Sequence, residues 1–171
     1  MSESAIGKSS EESEVTLVVM RRLNSAPRSR GELAKYLLAK NFDPETIELV
    51  LDRVAAMGYI DDAEYAQEWV RSRHRSRGLA PSVIKRELIA KNIDIEQIDT
   101  ALEQITSADL DQRAYELAAK KYRSLHSVDP SVAIRRIASQ LQRKGYPPGL
   151  CFRIAKETVG ADLDSVGDLG D

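Results

Sequence analysis

Cysteine is almost absent from this chain of 171 residues. Cys151 stands alone, so no disulfide can form within the chain, and a reducing compartment fits. Histidine is nearly as scarce. His74 and His126 are the only two, and neither has a Ser or Cys nucleophile motif beside it, which argues against a catalytic triad or a zinc site. Aromatic residues make up 5% of the chain, so the apolar material is aliphatic. No apolar run approaches the ~20 residues that a membrane span needs. Met1 to Glu14 has no apolar segment of the secretory type, so a signal peptide is not expected and the cytoplasm is the expected location.

What is abundant favours helices. Hydrophobic residues make up 42% and charged residues 30%, mostly Leu, Ile, Val and Ala with Glu, Lys, Arg and Gln, while the 9 Gly and 6 Pro fall mostly between the apolar-periodic segments. The net charge of −2 hides an uneven layout. The first 14 and last 11 residues are acidic; residues 15–160 hold 24 basic and 19 acidic side chains, a net of +5. The body is therefore mildly basic. The tails, residues 1–13 and 160–171, are polar enough to be expected as disordered.

The chain repeats itself. Leu33, Leu37, Lys40, Asn41 and Ile47 align with Ile84, Leu88, Lys91, Asn92 and Ile98 at an offset of 51 residues. Val18 and Val19 align with Trp69 and Val70 at the same offset. A third copy matches Ile137, Leu141, Lys144, Gly145 and Tyr146 to Ile84, Leu88, Lys91, Asn92 and Ile93 at 53, and Leu117, Ala118 and Lys121 to Trp69, Val70 and Arg73 at 48. The difference is a longer loop around Ser124 to Asp129. Apolar residues inside each copy recur at helical spacing in three segments.

Punctuation supports that division. Ser29 and Asp129 read as N-caps, Asp61 with Glu64 resembles a capping box, and Asp43 before Pro44 restarts a helix. Gly78 closes one helix and Pro81 opens the next. Lys40-Asn41 and Lys144-Gly145 read as helix ends with a left-handed residue. The expected fold is all-α: a tandem array of three three-helix repeats, about nine helices, elongated and curved, since stacked units bury each other's apolar edges. The expected boundaries are 14–58, 59–107 and 108–159.

Few motifs suggest chemistry. Gly7-Lys8-Ser9 resembles the end of a phosphate-binding loop, but its first glycine would fall at Ser2 and no strand precedes it. Asp162, Asp164 and Gly167 have a calcium-loop spacing without the later ligands. Asp61, Asp62 and Glu64 are better read as helix-start acids than as a metal cluster. Cys151 lies on the apolar stripe of Ile154 and Ala155 and is expected to be a buried thiol. Trp69, on its own stripe, is expected in the core. No catalytic residue, metal or cofactor is expected. One segment is unusual: Arg71, Arg73, Arg75, Arg77, Lys85 and Arg86 fall within 16 residues with no acid among them. Helix-end cations account for part of this, but a surface for phosphate or acidic protein accounts for more.

The stretch from Gly58-Tyr59-Ile60-Asp61-Asp62 through Ala63-Glu64-Tyr65-Ala66, Trp69-Val70-Arg71-Ser72-Arg73 and Arg77-Gly78 to Ile84-Lys85-Arg86-Glu87-Leu88 is similar to the central signature of the RecX family. Ser29-Arg30-Gly31-Glu32-Leu33 resembles that family's upstream Ser-x-x-Glu-Leu helix. The resemblance covers residues 15 to 159. It implies a tandem three-helix-repeat fold and a regulator that binds the RecA–DNA filament, lodges in its groove and restrains its ATPase and strand-exchange activities. The expected partner is therefore the RecA filament, bound by a monomer through Arg71, Arg73, Arg75, Arg77, Lys85 and Arg86. Direct contact with single- or double-stranded DNA is a further expectation. A free-standing DNA-binding protein is the competing reading. It is weakened by the acidic third segment of each of the first two repeats, where a recognition helix would sit: Glu45, Glu48 and Asp52, then Asp94, Glu96, Asp99 and Glu103. A nuclease or other enzyme has no motif to support it.

Overall fold

A computed structural model of the chain describes residues 3–125 and 128–167, with side chains for 7–125 and 128–160. Among the described residues there are nine α-helices and no strand. They are α1 (Glu3–Ser25), α2 (Arg30–Leu38), α3 (Pro44–Ala56), α4 (Asp62–Ser72), α5 (Pro81–Ala90), α6 (Ile95–Leu102), α7 (Ser107–Arg123), α8 (Pro130–Arg143) and α9 (Pro148–Gly167), with a π-helical turn at Arg73–Arg77 after α4.

Local chemistry sets the helix ends. Ser29 Oγ accepts the Glu32 N–H at 3.1 Å while the Glu32 carboxylate accepts the Ser29 N–H at 3.2 Å, a reciprocal cap that starts α2. Asp43 accepts the Thr46 N–H at 3.0 Å and Asp129 the Ser131 N–H at 2.8 Å, each just ahead of a proline in the first turn. Helices α2, α5 and α8 each end two or three residues before a left-handed residue: Asn41, Asn92 and Gly145 have φ of 63°, 55° and 90°.

Two acids read as helix starters do that work. Asp61 accepts the Glu64 N–H at 2.9 Å, opening α4, and Asp62 accepts the Arg30 N–H at 2.8 Å, satisfying the first free donor of α2. Among the described residues no group of three or more His, Cys, Asp or Glu is placed to hold a metal, and no helix is long and apolar enough to cross a membrane.

The N-terminal expectation is revised. Helix α1 begins at Glu3, inside the stretch read as a disordered tail. Its polar residues are tied to α3 and the residue before it: Lys8 pairs with Glu45 at 3.2 Å, Glu11 accepts the Asp43 N–H at 2.9 Å, and Glu12 pairs with Arg53 at 3.3 Å. At the other end α9 runs to Gly167. The acidic side chains from Asp162 onward, with their calcium-like spacing, and His126 lie outside the described side chains.

The chain divides into two compact units. One comprises Met1–Trp69 with Glu87–Ala101, the other Val70–Arg86 with Leu102–Asp171. In the first, α1, α2 and α3 close over Val15, Val19, Leu33, Leu37, Ile47, Val50, Leu51 and Val54. In the second, α7, α8 and α9 close over Ala114, Ala118, Ile137, Leu141, Cys151, Ile154 and Val159. Cys151 is fully buried, its Sγ donates to the Tyr146 carbonyl at 3.4 Å, and burial pushes its thiol pKa up, the environment of an unreactive thiol. Trp69 departs from expectation: it is only half-buried, and the fully buried position is its neighbour Val70.

Each unit contains one junction between successive helix trios, built the same way. In the first unit the start of α2 meets the end of α5: Ser29 Oγ donates to the Lys91 carbonyl at 2.7 Å. In the second the start of α5 meets the end of α8: the Ala80 N–H donates to the Lys144 carbonyl at 2.9 Å, and Ser82 Oγ to that of Gly145 at 2.8 Å. Donors at a helix start thus satisfy free carbonyls at a helix end, with the two dipoles head to tail. The approach is close. A Cβ on Gly31 would lie 2.4 Å from Asn92 Cβ, and one on Gly145 2.5 Å from Val83 Cγ2.

Candidate partner-binding surface

All six cations singled out in the sequence belong to the second unit. Arg71 is exposed at the end of α4. Arg73, Arg75 and Arg77 lie on the π-helical turn, the first half-buried and the others exposed. Lys85 and Arg86 lie in α5. Gly78 ends the turn at φ 62°, and a Cβ there would sit 2.7 Å from Leu117 Cδ1, so both conformation and space favour glycine. His74 is buried beneath the turn with Nδ1 3.0 Å from the Leu79 carbonyl. That is a structural position.

The six do not converge on one spot. Arg71 and Arg75 line an open cleft with His74, Gln104, Gln112 and Arg113, which also carries Asp109 and Glu116. Arg77 lines a neighbouring depression with Ser76, Lys120, Arg123 and Lys144. Arg113 lines both. Arg73, Lys85 and Arg86 line neither.

Residues from the third trio therefore complete the surface. Arg113 Nη2 donates to the Arg75 carbonyl and Lys144 Nζ to the Arg77 carbonyl, both at 2.5 Å. These carbonyls sit at the negative end of the helix, where cations are favoured. Arg113 also pairs with Glu116, which holds that carboxylate below the usual range. Lys144 is different. Burial lowers its pKa, the nearby Arg113 and Lys120 lower it further, and no acid pairs with it among the described residues. On α7 and α8, Lys121, Arg135, Arg136 and Arg143 line another depression, one without an acid.

Arg113, Lys120, Arg123 and Lys144 escaped sequence reading because they lie far along the chain from the basic turn. A signal existed in the charge of each unit. Residues 70–86 and 102–171 hold 16 basic and 10 acidic side chains, a net of +6. Residues 1–69 and 87–101 hold 9 basic and 17 acidic, a net of −8.

These features define an all-helical protein of three-helix domains with a cationic face and no catalytic constellation among its described residues. Comparison with known proteins is specific. The family models for the first, second and third three-helix domains of RecX match residues 18–53, 61–102 and 109–154. A protein of Streptomyces coelicolor called Regulatory protein RecX is 36% identical over 156 residues, 90% of this chain and 83% of the relative. One of the same name from Amycolatopsis mediterranei is 39% identical over 132 residues, 77% of this chain and 75% of the relative. The crystal structure of RecX from Lactobacillus salivarius superposes with a TM-score of 0.78 at 22% identity, covering 88% of this chain and 97% of that one. The chain belongs to the RecX family, whose members are regulatory proteins and not enzymes.

Proposed function

We propose that this protein acts as a monomer in the cytoplasm, binds the RecA–DNA filament, and restrains its ATPase, recombinase and strand-exchange activities in DNA repair. The contact is assigned to the cationic face of the second unit, with Arg71, Arg75, Arg77 and Lys85 as principal residues and Arg73 and Arg86 at the margin. The observation that carries this reading is the charge contrast between the units, +6 against −8, with the exposed arginines of the π-helical turn on the basic one. A filament offers acidic protein surface and DNA phosphate, and the planar guanidinium fork pairs bidentately with either.

A specific feature favours some direct contact with nucleic acid: the depression lined by Lys121, Arg135, Arg136 and Arg143 has no acid in its lining. Phosphates neutralised there would give salt-dependent binding. The test of the main reading is the double reversal Arg75→Glu with Arg77→Glu. Both sites are exposed, so melting should shift little, under about 0.5 kcal/mol. Filament binding and inhibition of RecA ATPase should fall strongly, because like charge then faces like charge. Full inhibition with unchanged salt dependence would rule the reading out.

A further inference from the structure

The two junctions share a backbone arrangement but not a set of side chains. At the first, the half-buried ammonium of Lys91 meets Glu32 Oε1 at 2.7 Å. It also lies over the Trp69 ring, 4.2 Å from the centroid, and over the Tyr65 ring at 5.6 Å. The Tyr65 hydroxyl donates to the same carboxylate at 3.2 Å. The lysine is closed in by an acid and two aromatic faces.

Lys144 is the counterpart of Lys91 by both repeat spacing and backbone role. Each follows the last residue of its helix, precedes a left-handed residue, and offers its carbonyl to the start of an earlier helix. The side chains around it are replaced one by one. Glu32 stands third in α2, and the third residue of α5 is Val83. Tyr65 aligns with Arg113 and Trp69 with Leu117, at the offset of 48 that relates these helices. An acid and two rings give way to a valine, a guanidinium and a leucine. The result is a half-buried ammonium beside further cations, in an open depression whose walls include Leu79 and Leu117.

We infer that this depression receives a carboxylate side chain of the partner protein, which stands against Lys144 as Glu32 stands against Lys91. The inference rests on the filament-binding reading above and specifies its chemistry. A partner carboxylate would relieve cation crowding that Glu116, already paired with Arg113, offsets only in part, and Arg77 offers a planar fork to hold it. Protein is favoured over nucleic acid here because the depression mixes cations with the leucine side chains of Leu79 and Leu117, which suit a side chain carried on a folded surface better than a continuous phosphate chain.

The experiment transfers the first junction's acid to the second. Val83→Glu puts a carboxylate at the third position of α5, where α2 has Glu32. The variant should fold with unchanged helicity and a melting temperature no lower than the parent. Its binding to RecA filaments assembled on single-stranded DNA with a non-hydrolysable nucleotide should weaken by about tenfold or more, because the site is then filled internally. Val83→Gln, of the same size without the charge, should bind filaments as the parent does. Binding of a bare single-stranded oligonucleotide by the Val83→Glu protein should be unchanged. If that variant fails to fold, Lys144→Met serves instead and should show the same loss towards filaments.

Parental filament affinity in the folded Val83→Glu protein would overturn the inference, as would parental affinity in Lys144→Met. A parallel loss towards oligonucleotide would overturn it in favour of phosphate. The double reversal at Arg75 and Arg77 separates the two levels. If it abolishes filament binding while Val83→Glu does not, only the carboxylate assignment fails. If neither variant affects filament binding, the filament-binding reading of this surface fails as well.

Discussion

Lys91 and Lys144 occupy the same place in two copies of one junction, and their surroundings pull in opposite directions. For Lys91, burial alone would lower the pKa. The bonds to Glu32 and to the Tyr65 hydroxyl outweigh it, so the pKa rises above the ordinary value. For Lys144, burial and the neighbouring Arg113 and Lys120 act together, and the pKa falls. Backbone geometry is thus reused while side-chain chemistry diverges. The first junction satisfies its own charges and holds two helix trios together. The second carries an excess of one sign, and it is on this difference that its proposed assignment to a partner rests.

Several substitutions would break or sharpen this contrast. The largest expected effect is at Trp69, whose ring stacks on Tyr65 at 5.7 Å between centroids and whose Nε1 donates to Glu87 at 2.8 Å. Trp69→Ala should destabilise by about 2–3 kcal/mol in urea unfolding, less than a fully buried aromatic because the ring is half-exposed. Next is Gly31→Ala. The new methyl would meet Asn92 Cβ at 2.4 Å and the Lys91 carbonyl at 2.9 Å, so the first junction must shift, at a cost of about 1–3 kcal/mol. Gly149→Ala, with nothing within 4 Å of its Cβ, is the control and should not destabilise.

Lys91→Met should cost about 1–2 kcal/mol, since it strands the half-buried Glu32 carboxylate without its ammonium partner. Lys144→Met should cost under about 1 kcal/mol: it loses a bond to the Arg77 carbonyl but removes repulsion from Arg113 and Lys120. Equal losses at the two lysines would remove the contrast.

The smallest effect is in pH. Burial raises the Glu32 pKa, but Lys91, the Ser29 N–H and Tyr65 outweigh it, so the folded value lies below the ordinary one. Its stabilising contribution is therefore present above the unfolded pKa and lost as pH falls through the folded value. The stability gap between the parent and Glu32→Gln should shrink across that acid window. For Lys91 the sign reverses: with a raised folded pKa, its contribution persists up to the unfolded value and is lost only as pH climbs through the folded one.

Much of the fold was legible because it rests on local chemistry. Ser29, Asp43, Asp61 and Asp129 cap helices from within three residues, and Asn41, Gly78 and Gly145 take the left-handed conformations that their places after helices suggest. The repeat offset even held the answer for Trp69. Its repeat mates Val18 and Leu117 are half-buried as well, while the next residues, Val19, Val70 and Ala118, are fully buried. Side-chain size does not set depth on this stripe, where the smaller Val70 is buried and the larger Trp69 only half so. The site was less legible. Arg113 and Lys144 reach the basic turn from 38 and 67 residues away, and no local pattern announces a bond to a distant carbonyl. Net charge over the whole chain concealed the rest, because an acidic unit and a basic unit nearly cancel.

The most direct test of the contrast is an NMR titration of the two lysine side chains, with Lys91→Arg and Lys144→Arg proteins to assign the Cε and Nζ signals. Lys91 should titrate above the ordinary value of 10.5 and Lys144 below it. Adding the Val83→Glu substitution should move Lys144 upward, towards Lys91, and leave Lys91 in place. Coincident titrations in the parent protein, or a Lys144 indifferent to a carboxylate at residue 83, would contradict the account.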